Sequence, residues 1–154
     1  MIIKLVGQDQ KDRVCELVQA LPLDPPMMVE IVEYKAKRSV AQNSLYWMFL
    51  SVLAGERGMT KEEVHHECKE RFLSKIYIRD RASYSELIDS LRIVYKQDSL
   101  LGKQMYDRVI DLTSTKDADT KQFSEYLEDI DKSAIQQGIN LPHPEDMWRE
   151  AMGG

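Results

Sequence analysis

Lys35, Lys37 and Arg38 stand at the head of a stretch from Tyr34 to Gly55 that holds no acidic residue. Three cations with no acidic residue after them until Glu56 suit a polyanion. Ser39, three residues before Gln42, reads as a capping box that starts a helix at this point, and the free N–H groups of a helix N-terminus also favour anions. Gln42 and Asn43 add hydrogen-bonding side chains, and Tyr46 and Trp47 add aromatic faces of the kind on which single-stranded nucleic acids stack. Lys75, Arg79 and Arg81, with Arg71, form a second group of cations further along. Each feature also has a plainer reading. Mixed charges are ordinarily a solvated surface, and an aromatic on an apolar helix, Tyr46 above all, is ordinarily packed core. Trp47 lies near Asn43 in direction and away from the main apolar stripe, so both packing and base stacking stand open for it.

Other chemistries fit less well. His65, His66 and Cys68 invite a metal reading, but neighbouring residues on a helix point about 100° apart, so only His65 and Cys68 share a face, and two ligands do not make a site. Asp24 followed by Glu33, Tyr34 and Lys35 loosely imitates the acidic pair plus lysine of a metal-dependent nuclease, although Asp24 sits in a proline-rich turn. No phosphate-binding G-x-x-x-x-G-K loop, glycine-rich dinucleotide loop or serine nucleophile elbow occurs. The reading is a non-enzyme with no cofactor, no metal and no catalytic residue. A metal-dependent nuclease and a protein–protein adaptor that contacts partners through an acidic C-terminal helix are the alternatives.

The net charge of -5 speaks against nucleic acid only until its distribution is considered. Residues 1–57 carry 7 Lys/Arg against 7 Asp/Glu, residues 58–112 carry 10 against 10, and residues 113–154 carry 4 against 9. The acidic excess is therefore confined to the end, which leaves room for a local basic surface. A chain of 154 residues with 43% hydrophobic and 31% charged residues is one ordinary globular domain. No apolar run of membrane-spanning length and no signal-peptide pattern occurs, so the expected location is the cytoplasm. Cys15 and Cys68 each fall inside a predicted helix and are expected to be reduced thiols.

The elements that position these residues follow from periodicity. Ile2–Val6 and Met27–Tyr34 read as strands on either side of a helix that opens at Asp9 and is ended by Pro22, which predicts a β-α-β opening. Two strands alone are too small a sheet, so a further strand or a partner's strand is required. Leu45, Met48, Phe49, Val52 and Leu53 stripe the helix that starts at Ser39. Tyr46, Leu50 and Ala54 widen its apolar arc to about 200°, more than one core-facing side needs, which suggests a second subunit as one possible cover. Thr60 and Glu63 make another capping box, Ile76–Ile78 reads as a brief additional strand, and helices follow from Ser85, from Ser99 to Asp111, and along Phe123, Leu127, Ile130 and Ala134 until Gly138. Residues 144–154 are either a last turn around Met147 and Trp148 or a mobile tail. The expected class is α+β, mainly helical, with a small N-terminal β-α-β unit, a short additional strand and a dimeric assembly.

Two blocks of the chain resemble the phage NinB family, also called Orf. Arg38-Ser39-Val40-Ala41-Gln42-Asn43 matches the family's R-S-x-x-Q-N signature, and Ser114-Thr115 followed by Phe123, Leu127, Ile130 and Gly138-Ile139 matches its second block. With the β-α-β opening they cover roughly two thirds of the chain, which reads as a single NinB-like domain over residues 1–154, and residues 79–109 look like an insertion relative to compact members. The resemblance implies a homodimeric, non-enzymatic recombination mediator in the bacterial host cytoplasm. Such a protein binds single-stranded DNA and cooperates with single-strand-binding protein and a phage annealing or strand-exchange protein. The residues expected to meet DNA are Lys35, Lys37, Arg38, Gln42, Asn43, Trp47, Lys75, Arg79 and Arg81.

Overall fold

The computed structural model describes residues 1–32, 34 and 38–153. It divides into two compact units, Met1–Lys35 and Ala36–Gly154.

In the first unit the helix α1 (Gln8–Gln19) begins after an extended Gly7 and stops at Ala20, two residues ahead of Pro22. It buries none of its residues, and Val14 and Leu17 are half-buried. Neither Ile2–Val6 nor the described part of Met27–Tyr34 forms a strand, and Ile2, Val6, Met28, Ile31 and Val32 are exposed. The Lys4 ammonium lies 3.9 Å from the centre of the Tyr34 ring.

The second unit is built from helices. Ser39 caps α2 (Val40–Arg57): its hydroxyl accepts from the Gln42 N–H at 3.1 Å, and the Ser39 N–H donates to Gln42 Oε1 at 2.9 Å. Gly58 ends the helix with φ of 64°, a left-handed conformation that costs glycine little. Thr60 and Glu63 repeat the capping box at α3 (Lys61–Cys68), which continues through a single π-helical turn, Lys69–Leu73, into α4 (Ser74–Asp80). Two long helices, α5 (Ala82–Gln97) and α6 (Ser99–Leu112), form a hairpin over the region read as an insertion. A 3-10 turn at Thr115–Asp117 leads to α7 (Thr120–Gln136), capped by the Asp119–Gln122 pair, and Gly138 with φ of 74° follows it. The chain closes with α8 (Glu145–Ala151), so Met147 and Trp148 lie on a helix that packs against the core.

The α+β expectation is overturned. Among the described residues there is no strand element, only an isolated bridge position at Asp119, and the class is all-α. The β-α-β opening needed a third strand to pair its free edges, and the one candidate, Ile76–Ile78, is helical. Ile76 and Tyr77 are buried with Leu73 at helical spacing, so core burial decides the conformation of a run too short to hold as a strand.

The core joins Leu45, Tyr46, Phe49, Leu50 and Leu53 of α2 to Val64, Cys68, Leu73, Ile76 and Tyr77 and to Phe123, Tyr126, Leu127 and Ile130 of α7. The wide apolar arc of α2 is thus covered within the chain. α3 and α7 pack on it, as does α8, and its exposed large apolar residues are Val40 (82%) and Trp47 (42%). Burying a residue of the size of Leu or Phe contributes about 1.5–3 kcal/mol, which accounts for three helices converging on one. The width of the arc therefore does not itself call for a second subunit. Gly102 explains itself in the hairpin: a Cβ there would lie 2.4 Å from Tyr95 Cα, so the two helix backbones meet only because the side chain is absent.

Candidate nucleic-acid interface

Arg38 sits one residue before the α2 cap, where the first sequence block meets the second. Its Nη1 donates to Thr115 Oγ1 at 2.9 Å, and its guanidinium lies 5.0 Å from the centre of the Phe123 ring. Phe123 meets Tyr46 edge-on at 5.5 Å, Tyr46 lies 5.5 Å from Trp47, and Trp47 stacks on His65 at 5.5 Å with ring planes 19° apart. A continuous run of contacts therefore leads from a half-buried guanidinium to a part-exposed indole.

The polar floor of this patch is buried. The Tyr46 hydroxyl is 2.6 Å from His65 Nδ1 and 3.1 Å from the Tyr126 hydroxyl. Burial raises the Tyr46 and Tyr126 hydroxyls above the ordinary phenol range, so both stay protonated. Burial also lowers His65, with help from Lys69 and Arg38, to about 4, so its imidazole is neutral near pH 7. Cys68, which shares the His65 face, is buried and pushed up to about 12, which makes it an unreactive thiol. No group of three His, Cys, Asp or Glu side chains among the described residues could hold a metal ion.

Gln42 is an internal brace. It is 2% exposed, and its Nε2 lies 2.8 Å from the Thr120 carbonyl, 3.0 Å from Ser124 Oγ and 3.0 Å from the Ala151 carbonyl, tying α2 to α7 and α8. Beside it a cavity of about 420 Å³ is lined by Ser39, Gln42, Thr120, Lys121, Ser124 and Glu150 among others. Glu150 there opposes the single lysine, so the cavity is poorly suited to phosphate.

The remaining expected residues divide. Asn43 is half-buried and Lys75 is exposed on α4. Arg79 is held by two carboxylates: its Nε donates to Asp80 at 2.7 Å, and its Nη1 and Nη2 donate to Glu125 at 2.6 and 2.9 Å. Arg81 lies 3.6 Å from the centre of the Tyr77 ring and donates to the Asp117 carbonyl. These two arginines fasten α4 to α7 and to the loop before it rather than standing free for phosphate. Lys35 and Lys37 lie outside the described residues, as does Glu33 of the nuclease reading, while Asp24 belongs to the first unit.

His65, Phe123 and Thr115 were not expected at this patch. The Ser114-Thr115 pair and Phe123 were visible as a second block, but only folding shows that they adjoin the first, about 80 residues away in sequence. His65 carried a signal of a different kind, as a helix neighbour of Cys68, that pointed to metal rather than to aromatic stacking. No family model, curated protein or solved structure matches the chain.

Proposed function

We propose that this protein is a non-enzymatic recombination mediator that binds single-stranded DNA at the head of α2. The observation that supports it is the run Arg38–Phe123–Tyr46–Trp47–His65, which links an arginine to a part-exposed indole, and in sequence Arg38 follows Lys35 and Lys37 in the same acid-free stretch. Cationic side chains that follow the backbone and aromatic rings that accept bases are the two components of sequence-tolerant single-strand binding. In this reading Lys35 and Lys37 meet phosphate, Trp47 meets a base, and Arg38 fixes the approach through Thr115. Single-strand-binding protein and a phage annealing or strand-exchange protein are the partners, in the cytoplasm of a bacterial host. No helix among the described residues is long and apolar enough to cross a membrane. The protein acts as a homodimer, with the contact on a surface other than the covered face of α2.

The adaptor reading has an observation of its own. Leu100, Leu101, Met105 and Leu112 are exposed on α6, an apolar surface of the kind proteins use to meet one another. One assay separates the classes: a fluorescently labelled oligonucleotide, with and without magnesium and with duplex as competitor. Retention of intact single strand supports the mediator, magnesium-dependent cleavage indicates a nuclease, and no binding at low salt leaves the adaptor. Light scattering at micromolar concentration tests assembly, for which the proposal requires twice the 17.9 kDa chain mass.

A further inference from the structure

We propose that His65 is the positioning residue that holds Trp47 as a stacking platform for a nucleobase, an inference that rests on the single-strand reading above. The two rings are 5.5 Å apart and 19° from parallel, so the imidazole backs one side of the indole while Trp47 remains 42% exposed. His65 is itself held. The Tyr46 hydroxyl fixes its Nδ1 at 2.6 Å, and Tyr126, which is fully buried, fixes the Tyr46 hydroxyl at 3.1 Å. The indole thus rests on a ring anchored through two hydroxyls into the core, rather than on a side chain free to rotate.

Tyr46 and Phe123 are fully buried, and the Trp47 and His65 rings pack against Tyr46 with centroids at 5.5 and 5.8 Å while Trp47 keeps its exposure to solvent. The groups around His65 are Arg38, Lys69, His66 and Glu62, with burial and the nearby cations keeping the imidazole uncharged near neutral pH. An uncharged ring behind the indole adds no attraction for phosphate. Its contribution belongs to stacking, and it should appear in affinity without appearing in the salt dependence.

Two substitutions separate the ring from the hydrogen bond. His65→Phe keeps an aromatic surface behind Trp47 and loses the bond to Tyr46, whose hydroxyl retains Tyr126. His65→Gln keeps a hydrogen-bonding group and loses the ring. Both are made in the full chain carrying Trp148→Phe, so that Trp47 is the only tryptophan. Binding of a labelled oligothymidylate is measured across a salt series together with Trp47 emission and a melting curve.

The expected result is binding by His65→Phe within about twofold of the parent and by His65→Gln weaker by about fivefold to tenfold, a loss typical of part of one stacking contact. The salt slope should be unchanged in both, and the oligonucleotide should quench Trp47 emission in His65→Phe but much less in His65→Gln. Folded His65→Gln that binds and quenches like the parent, while Trp47→Ala binds poorly, overturns the role of His65 and leaves the single-strand reading standing. A parent protein that binds no single strand overturns both. If His65→Gln does not fold, weak binding and lost quenching by folded His65→Phe overturn the inference, because the ring alone would then be insufficient.

Discussion

Replacing Gln42 tests whether this residue of the R-S-x-x-Q-N signature is a DNA contact or a brace. Its Oε1 accepts from the Ser39 N–H, and its Nε2 lies within hydrogen-bond reach of the Thr120 carbonyl, the Ala151 carbonyl and Ser124 Oγ. In Gln42→Ala the Ser124 hydroxyl, 2.9 Å from each of those carbonyls, can keep one of them satisfied. The other carbonyl and the Ser39 N–H must then find water from the adjoining cavity. At about 1 kcal/mol net for each neutral hydrogen bond and about 1 kcal/mol for a damaged helix cap, the loss comes to about 2–4 kcal/mol. Gln42→Glu should be worse near pH 7, since it puts a carboxylate against two carbonyl oxygens. The assay is urea unfolding followed by circular dichroism, with the midpoint falling at constant m-value. Single-strand binding, measured where every variant is folded, should stay within about twofold of wild type, a change too small for a lost direct contact. Unchanged unfolding together with tenfold weaker binding would refute the brace and return Gln42 to the DNA surface.

Three further outcomes are expected. Gly102→Ala should destabilise by about 1–3 kcal/mol, because the new methyl meets Tyr95 backbone and overrides the usual gain in helix propensity; a stabilised variant in a melting curve would show that α5 and α6 can part freely. His65 is held neutral in the fold, from the ordinary 6.5 down to about 4, so between those values the unfolded chain binds more protons and stability should rise with pH; the rise should shrink in His65→Phe, and an identical pH–stability profile would contradict the burial. Arg79→Ala should leave single-strand affinity and its salt slope unchanged, since Asp80 and Glu125 already occupy the guanidinium, whereas Lys35→Ala with Lys37→Ala should flatten the slope by about 0.7 per lost contact; equal slopes for both would move the site away from the head of α2.

Helix boundaries were legible because the groups that start and stop helices are local. Ser39 with Gln42, Thr60 with Glu63, and the left-handed glycines 58 and 138 act within a few residues of the backbone they satisfy, so α2, α3 and α7 begin or end where the sequence indicates. The helix from Ser99 was equally visible. Gly102, a residue of low helix propensity inside it, is the place where α5 touches it.

What the sequence could not decide was everything that depends on distant neighbours. β-Branched runs at Ile2–Val6 and Ile76–Ile78 have strand propensity, but a strand exists only where another pairs with it, and burial beside Leu73 made the second run helical. The arc of α2 is too wide for one neighbour, yet the sequence does not say whether the second cover is a subunit or α8 of the same chain. Charge shows the same limit: Arg79 and Arg81 look free in sequence and are held by Glu125, Asp80 and Tyr77 in the fold. By itself the sequence determined where helices start and stop, which faces are apolar, and the acid-free run before α2, because these depend on residues within one or two turns. Only the tertiary structure decided that Gln42 is a buried brace, that Arg38 belongs to Thr115 and Phe123, and that Trp47 leans on His65, because each depends on a partner brought close by packing.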